Sequence, residues 1–476
     1  MGFLFGGKGT TTRAEKIGDF QINTASYGEV VPEILGTTRV SGNIIYWDDF
    51  TAHEHRETQR AGKGGGRKHT NITYTYTVAV AIGLCEGPIS GIGMVWRDKD
   101  VLMYPAGDIQ LTLFDGRKGQ APWPYVVSKH PEKALPYSGL AYMAGVVDLG
   151  DRASLPTYNF EVRGNLLNTG DGTDVNPADY IVRVLERVGI DASVIEGLDN
   201  FRRYCAAADI LISTPPDEGA RKAQEIIADI ADITNSYLFW SNDRLKIVPL
   251  ADKPINTWDP RSTIQYDLTA DDFLPGKDGV LVEYKRKTST ESYNQAIVEF
   301  INRSNSYEKE TVSYEVVADV QKNGLKPAPV KKAHYLYTKK RAAYYAEQLA
   351  MKRLYERNQY TFKLAWNFCR LEPGDIVTLT DEVCQINEQV VVITEVQEGV
   401  DGELTITAIG KPPGIYAPAA HDVHENERPF VDYNVKPPAV TDVTFVQPPA
   451  DVTTSGNEVW LAVSAPETNW GGCNIW

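Results

Sequence analysis

Residues Thr70–Leu84 read TNITYTYTVAVAIGL. From Asn71 to Val80, Thr and Asn alternate with Ile, Tyr and Val, a period of two that puts polar side chains on one face of a strand. After Val78 the run becomes continuously apolar, so the strand enters a core. The same texture extends from Ile17 to about Phe160, where short Val-, Ile-, Tyr- and Thr-rich segments such as RVSGNIIYW (Arg39–Trp47) are separated by Gly, Pro and Asp turns. The N-terminal third is therefore β structure, preceded by an arm at residues 1–16.

The pattern changes after residue 175. In NPADYIVRVLERVG, Asn176 is placed to cap a helix, Pro177 suits its first position and Gly189 its end; Ile181, Val184, Leu185 and Val188 recur at helical spacing. A second helix is expected to open at STPPDEGARKAQEIIADIADI, with Ser213 or Thr214 as cap, Pro215 starting its first turn, and an apolar stripe through Ala220, Ala223, Ile226, Ile227, Ile230 and Ile233. A hairpin follows, YLFW and LKIVPL about the turn SNDR. Residues 176–257 thus form an α+β unit.

β texture returns over residues 258–411, with one helix near 338–357 that Thr338 can cap. Ala342, Ala346, Leu349, Ala350 and Leu354 are its inward face, and Lys339, Lys340, Arg341, Lys352, Arg353 and Arg357 are read as a solvated face. LEPGDIVTLTD then turns at Pro373-Gly374 into a strand, and EQVVVITEVQEG and ELTITAIG complete a meander. Residues 412–440 read as a Pro-rich linker. Residues 441–476 resemble the start of an immunoglobulin- or fibronectin-like β domain; too few strands remain to close one, and continuation past Trp476 is expected. The fold class is mixed, mainly β with an α+β insert.

Length and charge narrow the function. A chain of 476 residues with 42% hydrophobic residues has material for about three packed units. Lys and Arg number 48 against 63 Asp and Glu, a net charge of −15, which opposes nucleic-acid binding over the whole surface. The five cysteines (85, 205, 369, 384 and 473) form no C-x-x-C pair and read as buried reduced thiols of a cytoplasmically made protein, not disulfides or zinc ligands. No stretch reads as a signal peptide, a myristoylation site or a membrane span.

One stretch invites chemistry: HEHRETQRAGKGGGRKHT, His53–Thr70. His53, His55 and His69 could ligate a metal, but two histidines two apart are not the H-E-x-x-H pair of helical zinc sites, and a glycine-rich loop supports ligand geometry poorly. The glycines lack the order of a phosphate loop, and no helix follows to supply its dipole. No G-x-S-x-G elbow occurs, His130, His334, His421 and His424 are far apart, and Asp271-Asp272 and Asp381-Glu382 read as ordinary turn acids. Neither catalytic residue nor cofactor nor metal site is nominated, so an enzyme is not expected. The stretch reads instead as the tip of a long β-hairpin. Gly62 and Gly64–Gly66 supply flexibility there, and Arg56, Arg60, Lys63, Arg67 and Lys68 are candidates for contact with an acidic partner or a neighbouring subunit.

YGEVVPEILGTTRVSGNIIYW (Tyr27–Trp47), followed by YTYTVAVAIGLCEGPISGIGMVWRDKDVL (Tyr74–Leu102), resembles the N-terminal region of baseplate hub, or tail tip, proteins of long non-contractile-tailed bacteriophages. CEGPISGI, Cys85–Ile92, is similar to the EGPI run of lambda-type tip attachment proteins, and the likeness extends through LEPGDIVTLTD to about Ile409. The resemblance implies two tube-type β domains, at 17–175 and 258–411. It implies a homotrimer whose six β units close a pseudo-sixfold ring at the end of the tail tube, adapting a sixfold tail to a threefold tip. Implied partners are the distal tail protein, the tape measure protein and other tail tip and central fibre proteins. DNA would pass through the channel without specific binding, and the protein would sit at the virion tail tip after assembly in the host cytoplasm. Peptidoglycan degradation and receptor binding are the alternatives that tail tips bring to mind.

Overall fold

Strand β4 (Lys68–Glu86) lies inside the N-terminal sheet of the computed structural model, and the fate of its two faces explains its sequence. The structure describes residues 10–17, 20, 30–60, 68–105, 108–167, 170–216, 221–260, 263–276, 279–288, 292–416, 444–446 and 460–462. One edge of β4 pairs with β3 (Asn43–Arg60). The other pairs first with β1 (Thr10–Arg13), in parallel, and then with β8 (Leu140–Gly150), which carries β7 (Thr112–Phe114) outside it. A second sheet has the order β2 (Thr37–Ser41), β9 (Tyr158–Arg163), β5 (Gly91–Arg97), β6 (Asp100–Met103).

The two sheets face each other. Tyr76, Val78, Val80, Ile82 and Leu84 of β4 meet Val40, Val95, Phe160 and Val162 of the second sheet in one core. On the reverse face Ala79 and Ala81 lie under Trp123 and Val126 of α1 (Pro124–Lys129). Small side chains are needed where a helix covers a sheet this closely. Both faces of Val78–Leu84 are covered, so the run is apolar without interruption, whereas Asn71, Thr73 and Thr75 lie beyond α1 and stay polar.

The middle of the chain holds α2 (Pro177–Arg187), β10 (Ile195–Glu196), α3 (Leu198–Ala207), α4 (Ala223–Ile233), β11 (Ser236–Ser241) and β12 (Arg244–Pro249). Asn176 Oδ1 accepts from the N–H of Ala178, capping α2. β11 and β12 form a hairpin whose turn residues Asn242 and Asp243 have φ 50 and 56, the left-handed pair a two-residue turn requires.

Ser213 and Thr214 do not cap α4, which follows Lys222. Both hydroxyls are buried and used elsewhere: Ser213 Oγ accepts from the N–H of Thr37 and donates to Asp174, and Thr214 Oγ1 accepts from the N–H of Leu35. They tie the middle unit to the first sheet pair instead of starting a helix.

In the last part, a seven-stranded curled sheet orders β13 (Ile264–Leu268), β20 (Ile376–Asp381), β21 (Ile386–Glu398), β22 (Leu404–Gly410), β19 (Asn358–Leu364) and β14 (Phe273–Leu274), with β15 (Val282–Arg286) also on β19. A smaller sheet of β17 (Glu308–Glu315), β16 (Gln295–Asn302) and β18 (Lys331–Lys332) backs onto α6 (Lys339–Tyr355); α5 (Val317–Asn323) links β17 to β18. Val298, Phe300, Ala342, Tyr345 and Ala346 from this part share one core with α2, α3 and α4. Thr338 caps α6 through the N–H of Arg341. Arg341 itself is not on a solvated face: it is 9% exposed and reaches into a buried acidic group. The turn LEPGD abuts the middle hairpin, where Gly374 has φ 90 and a Cβ would meet Val248 at 3.0 Å. Strands β23 (Thr444–Val446) and β24 (Trp460–Ala462) pair with each other; most of the expected immunoglobulin-like segment, and most of the linker, lie outside the described residues.

Cys85 and Cys205 are buried, but Cys369 and Cys384 are exposed, contrary to the expectation of uniformly buried thiols. Cys369 follows the short 3-10 turn Trp366–Phe368, and Cys384 lies in the turn between β20 and β21.

Candidate assembly surface

The longest strand pair among the described residues is the β3–β4 hairpin, paired continuously from Asn43↔Gly83 to Arg60↔Lys68 except at two bulges. Eighteen residues at about 3.3 Å each make an arm of roughly 60 Å. On the inner half of β3, Phe50 and Ala52 pack on the inter-sheet core, and Ile45 and Tyr46 pack with Trp123 and Val126 on the other face. On the outer half, His53–Gln59 and the odd positions Asn71 and Thr73 are exposed, while Ile72 is buried and Tyr74 half-buried against the inter-sheet core. The N–H of Ile17 donates to Tyr76 Oη, and Phe20 stacks on Phe50, so these two residues brace the hairpin's base.

Arg56 lies on β3 with its side chain 66% exposed, 2.5 Å from Glu54. Arg13 Nη2 and Tyr74 Oη also donate to Glu54. Hydrogen bonding from Arg56 chiefly holds the Glu54 carboxyl below its usual range. Arg60 and Lys68 face each other in register as the last described pair of the hairpin. Lys63 and Arg67, with the glycines, lie outside the described residues.

The three histidines are not brought together. His53 Nε2 is 2.9 Å from Thr77 Oγ1, His55 Nε2 is 2.7 Å from Thr75 Oγ1, and His69 Nδ1 is 3.0 Å from Thr10 Oγ1. Each is half of a cross-strand polar pair.

A cluster that the sequence does not reveal sits at the hairpin's bulge. The register breaks between Asp48 and Thr51, and Asp49 takes φ 53. This turns Asp49 toward His130, whose Nε2 is 2.9 Å from Asp49 Oδ2, and toward Tyr125, whose hydroxyl donates to the same oxygen at 2.8 Å. Lys133 Nζ lies 2.5 Å from Asp48 Oδ2. The hydrogen bond from Lys133 holds Asp48 below the usual carboxylate range, and that from His130 does so for Asp49. Burial and the neighbouring carboxylates push the Tyr46 and Tyr125 phenols up to about 12. Asp48, Asp49 and His130 offer ligand atoms within 4.8 Å of one another, the geometry of a three-residue metal site. Lys133 already occupies Asp48, so the group is a closed ion-pair cluster that fastens α1 and the turn after it to the hairpin. Eighty residues of sequence separate Asp49 from His130, and only the bulge brings them together.

With this geometry in view, the chain can be placed among known proteins. Residues 222–396, from the start of α4 into β21, match the family described as putative phage tail protein. In fold, the chain is similar to a chain from the virion of a native gene transfer agent particle: TM-score 0.64, 18% identity, 84% of this chain and 88% of that one covered. Likenesses with lower TM-scores link it to the tail protein from Neisseria meningitidis (0.33, 10% identity, 81% and 98% covered) and to the 43 kDa tail protein of prophage MuSo2 from Shewanella oneidensis (0.28, 12% identity, 80% and 100% covered). No curated protein matches. Among the described residues no helix is long and apolar enough to cross a membrane.

Proposed function

We propose that this chain is a non-enzymatic structural protein of a phage-type tail, and within it the hub at the tail tip. Three copies would close the end of the tube, adapt its sixfold symmetry to a threefold tip and open to release DNA. The observation that carries the reading is the likeness in fold to a virion chain over 84% of the length, joined to the match of residues 222–396 with a phage tail family. The architecture supplies what a ring subunit needs: two β units with open sheet edges, which pairing between subunits would remove. A net charge of −15 favours passage of DNA over its retention.

In this reading Arg56, Arg60, Lys63, Arg67 and Lys68 present a basic tip on an acidic protein, and the tip meets an acidic surface of a neighbouring subunit or tail protein. Distal tail, tape measure and central fibre proteins are the partners at the virion tail tip. Native mass spectrometry of the purified chain, with cryo-electron microscopy of particles, tests the proposal. A trimer located at the tail tip is expected; a stable monomer absent from virions would sink it. Deleting Gln59–Lys68 should block tail assembly while the purified protein keeps its unfolding midpoint.

A further inference from the structure

A groove of about 790 Å³ runs along α4 and the middle hairpin, walled by Ile227 and Ala231 of α4 and by Leu238 and Leu245 of the hairpin. Every residue from Ser236 to Trp240 lines it. Successive side chains of a strand point to opposite faces, so an unbroken run of lining residues means that the groove follows the edge of β11, not one face. That edge is open: among the described residues β11 pairs only with β12. Two large apolar side chains stand exposed on the lining, Val188 at 54% and Trp240 at 59%. An open strand edge beside an apolar groove takes an extended peptide, whose backbone completes the sheet and whose alternate side chains fill the groove.

We propose that the occupant is a segment of this same chain, Phe430–Val435, added to the open edge of β11. Three observations select it. First, the chain leaves its described part at the groove: Ile415 and Tyr416 are buried against Leu250 and Tyr237, both of which line the groove. Second, the tether is long enough, since about fourteen residues at roughly 3.3 Å each span about 45 Å. Third, the segment reads FVDYNV, with Val431, Tyr433 and Val435 alternating with Asp432 and Asn434. Pro429 and Pro437 bracket it and bias Arg428 and Lys436 toward extended backbone. This docking does not depend on the tail-tip reading.

Hydrogen exchange on the full chain tests it. In the native protein the amides of Tyr237–Trp240 should be protected on both edges of β11. Full-length Val431→Ser/Tyr433→Ser/Val435→Ser should raise exchange on the outer edge at least tenfold and shift Trp240 emission to the red; a free peptide of residues 428–438 should reverse both. Val188→Glu, an exposed site whose change leaves the core intact, should also raise exchange on the outer edge. Equal exchange in native and variant chains, or protection that grows with protein concentration and so reports a second copy in the groove, would overturn the proposal.

Discussion

Arg341 Nη1 lies 2.5 Å from Asp174 Oδ2, across 167 residues of sequence. Asp174 is 1% exposed, and Arg303 Nη2 donates to its other oxygen, which also accepts from Ser213 Oγ. Arg303 also donates to the carbonyl of Thr37 and lies over the Tyr337 ring, 5.1 Å from its centroid. One carboxylate therefore joins the first sheet pair, the middle unit and the last part of the chain.

Removing that carboxylate leaves two guanidinium groups without their shared partner in a dry place. Asp174→Ala should destabilise the chain by about 3–5 kcal/mol, as broken buried pairs do. Arg13→Ala, which removes an exposed partner of Glu54, should cost under about 1 kcal/mol. Urea denaturation of both variants checks the contrast; equal losses would mean that the Asp174 network contributes no more than a surface pair.

The same network sets an acid limb. Burial pushes the Asp171 and Asp209 carboxyls up, but donors outweigh it: backbone N–H groups and Arg341 for Asp171, Lys340 and Arg341 for Asp209, so both end below their ordinary range. A folded-state pKa below the unfolded one stabilises the fold above the unfolded value, about 4, and the gain is lost as pH falls through the folded value. The urea midpoint should therefore decline from about pH 4 downward. In Arg341→Gln that decline should be shallower, whatever the variant's midpoint at pH 7.

The two covered faces of β4 predict opposite responses to size. Ile82, 2% exposed in the inter-sheet core, should cost about 2–5 kcal/mol when cut to alanine. Ala81, also 2% exposed but under α1 and Trp123, should instead be damaged by enlargement, with Ala81→Leu costing about 1–3 kcal/mol. Thr73→Leu, on the exposed half, should leave the unfolding midpoint within about 0.5 kcal/mol of native. Three thermal or chemical melts decide the matter.

What the residues made legible is local. The switch from alternation to a continuous apolar run in β4, the Asn176 cap, the SNDR turn and the Thr338 cap each depend on a few neighbouring side chains and backbone angles, and these recur in the structure. What was not legible is long-range. Ser213 and Thr214 look like caps because a hydroxyl before an apolar stripe satisfies helix amides, yet here Leu35 and Thr37 claim them from about 180 residues away. Arg341 looks solvated because cations usually are, but Asp171, Asp174 and Asp209, all distant in sequence, make its burial tolerable. α3 escaped notice because its apolar positions Phe201, Tyr204 and Cys205 are spread among charged residues. The Asp48–Asp49–His130 cluster depends on a bulge, which no pairing pattern within β3 alone discloses.

That cluster yields the last prediction, which separates a lock from a metal site. Asp48, Asp49 and His130 have ligand atoms close enough to share a cation, but Lys133 Nζ already neutralises Asp48 from 2.5 Å. A divalent ion would have to displace the ammonium, and Tyr125 and His130 already hold Asp49. Millimolar zinc or manganese should therefore leave the melting temperature of the native chain unchanged. Lys133→Ala frees Asp48, so the same ions should then raise the midpoint, by an amount that follows the ratio of ion concentration to dissociation constant. Without metal, that variant should keep an unfolding midpoint close to the native one, because Lys133 is half exposed and solvent screens its pair with Asp48. A metal-dependent rise already present in the native chain would show that the ammonium yields to a cation and that the cluster is a binding site, not a fastening.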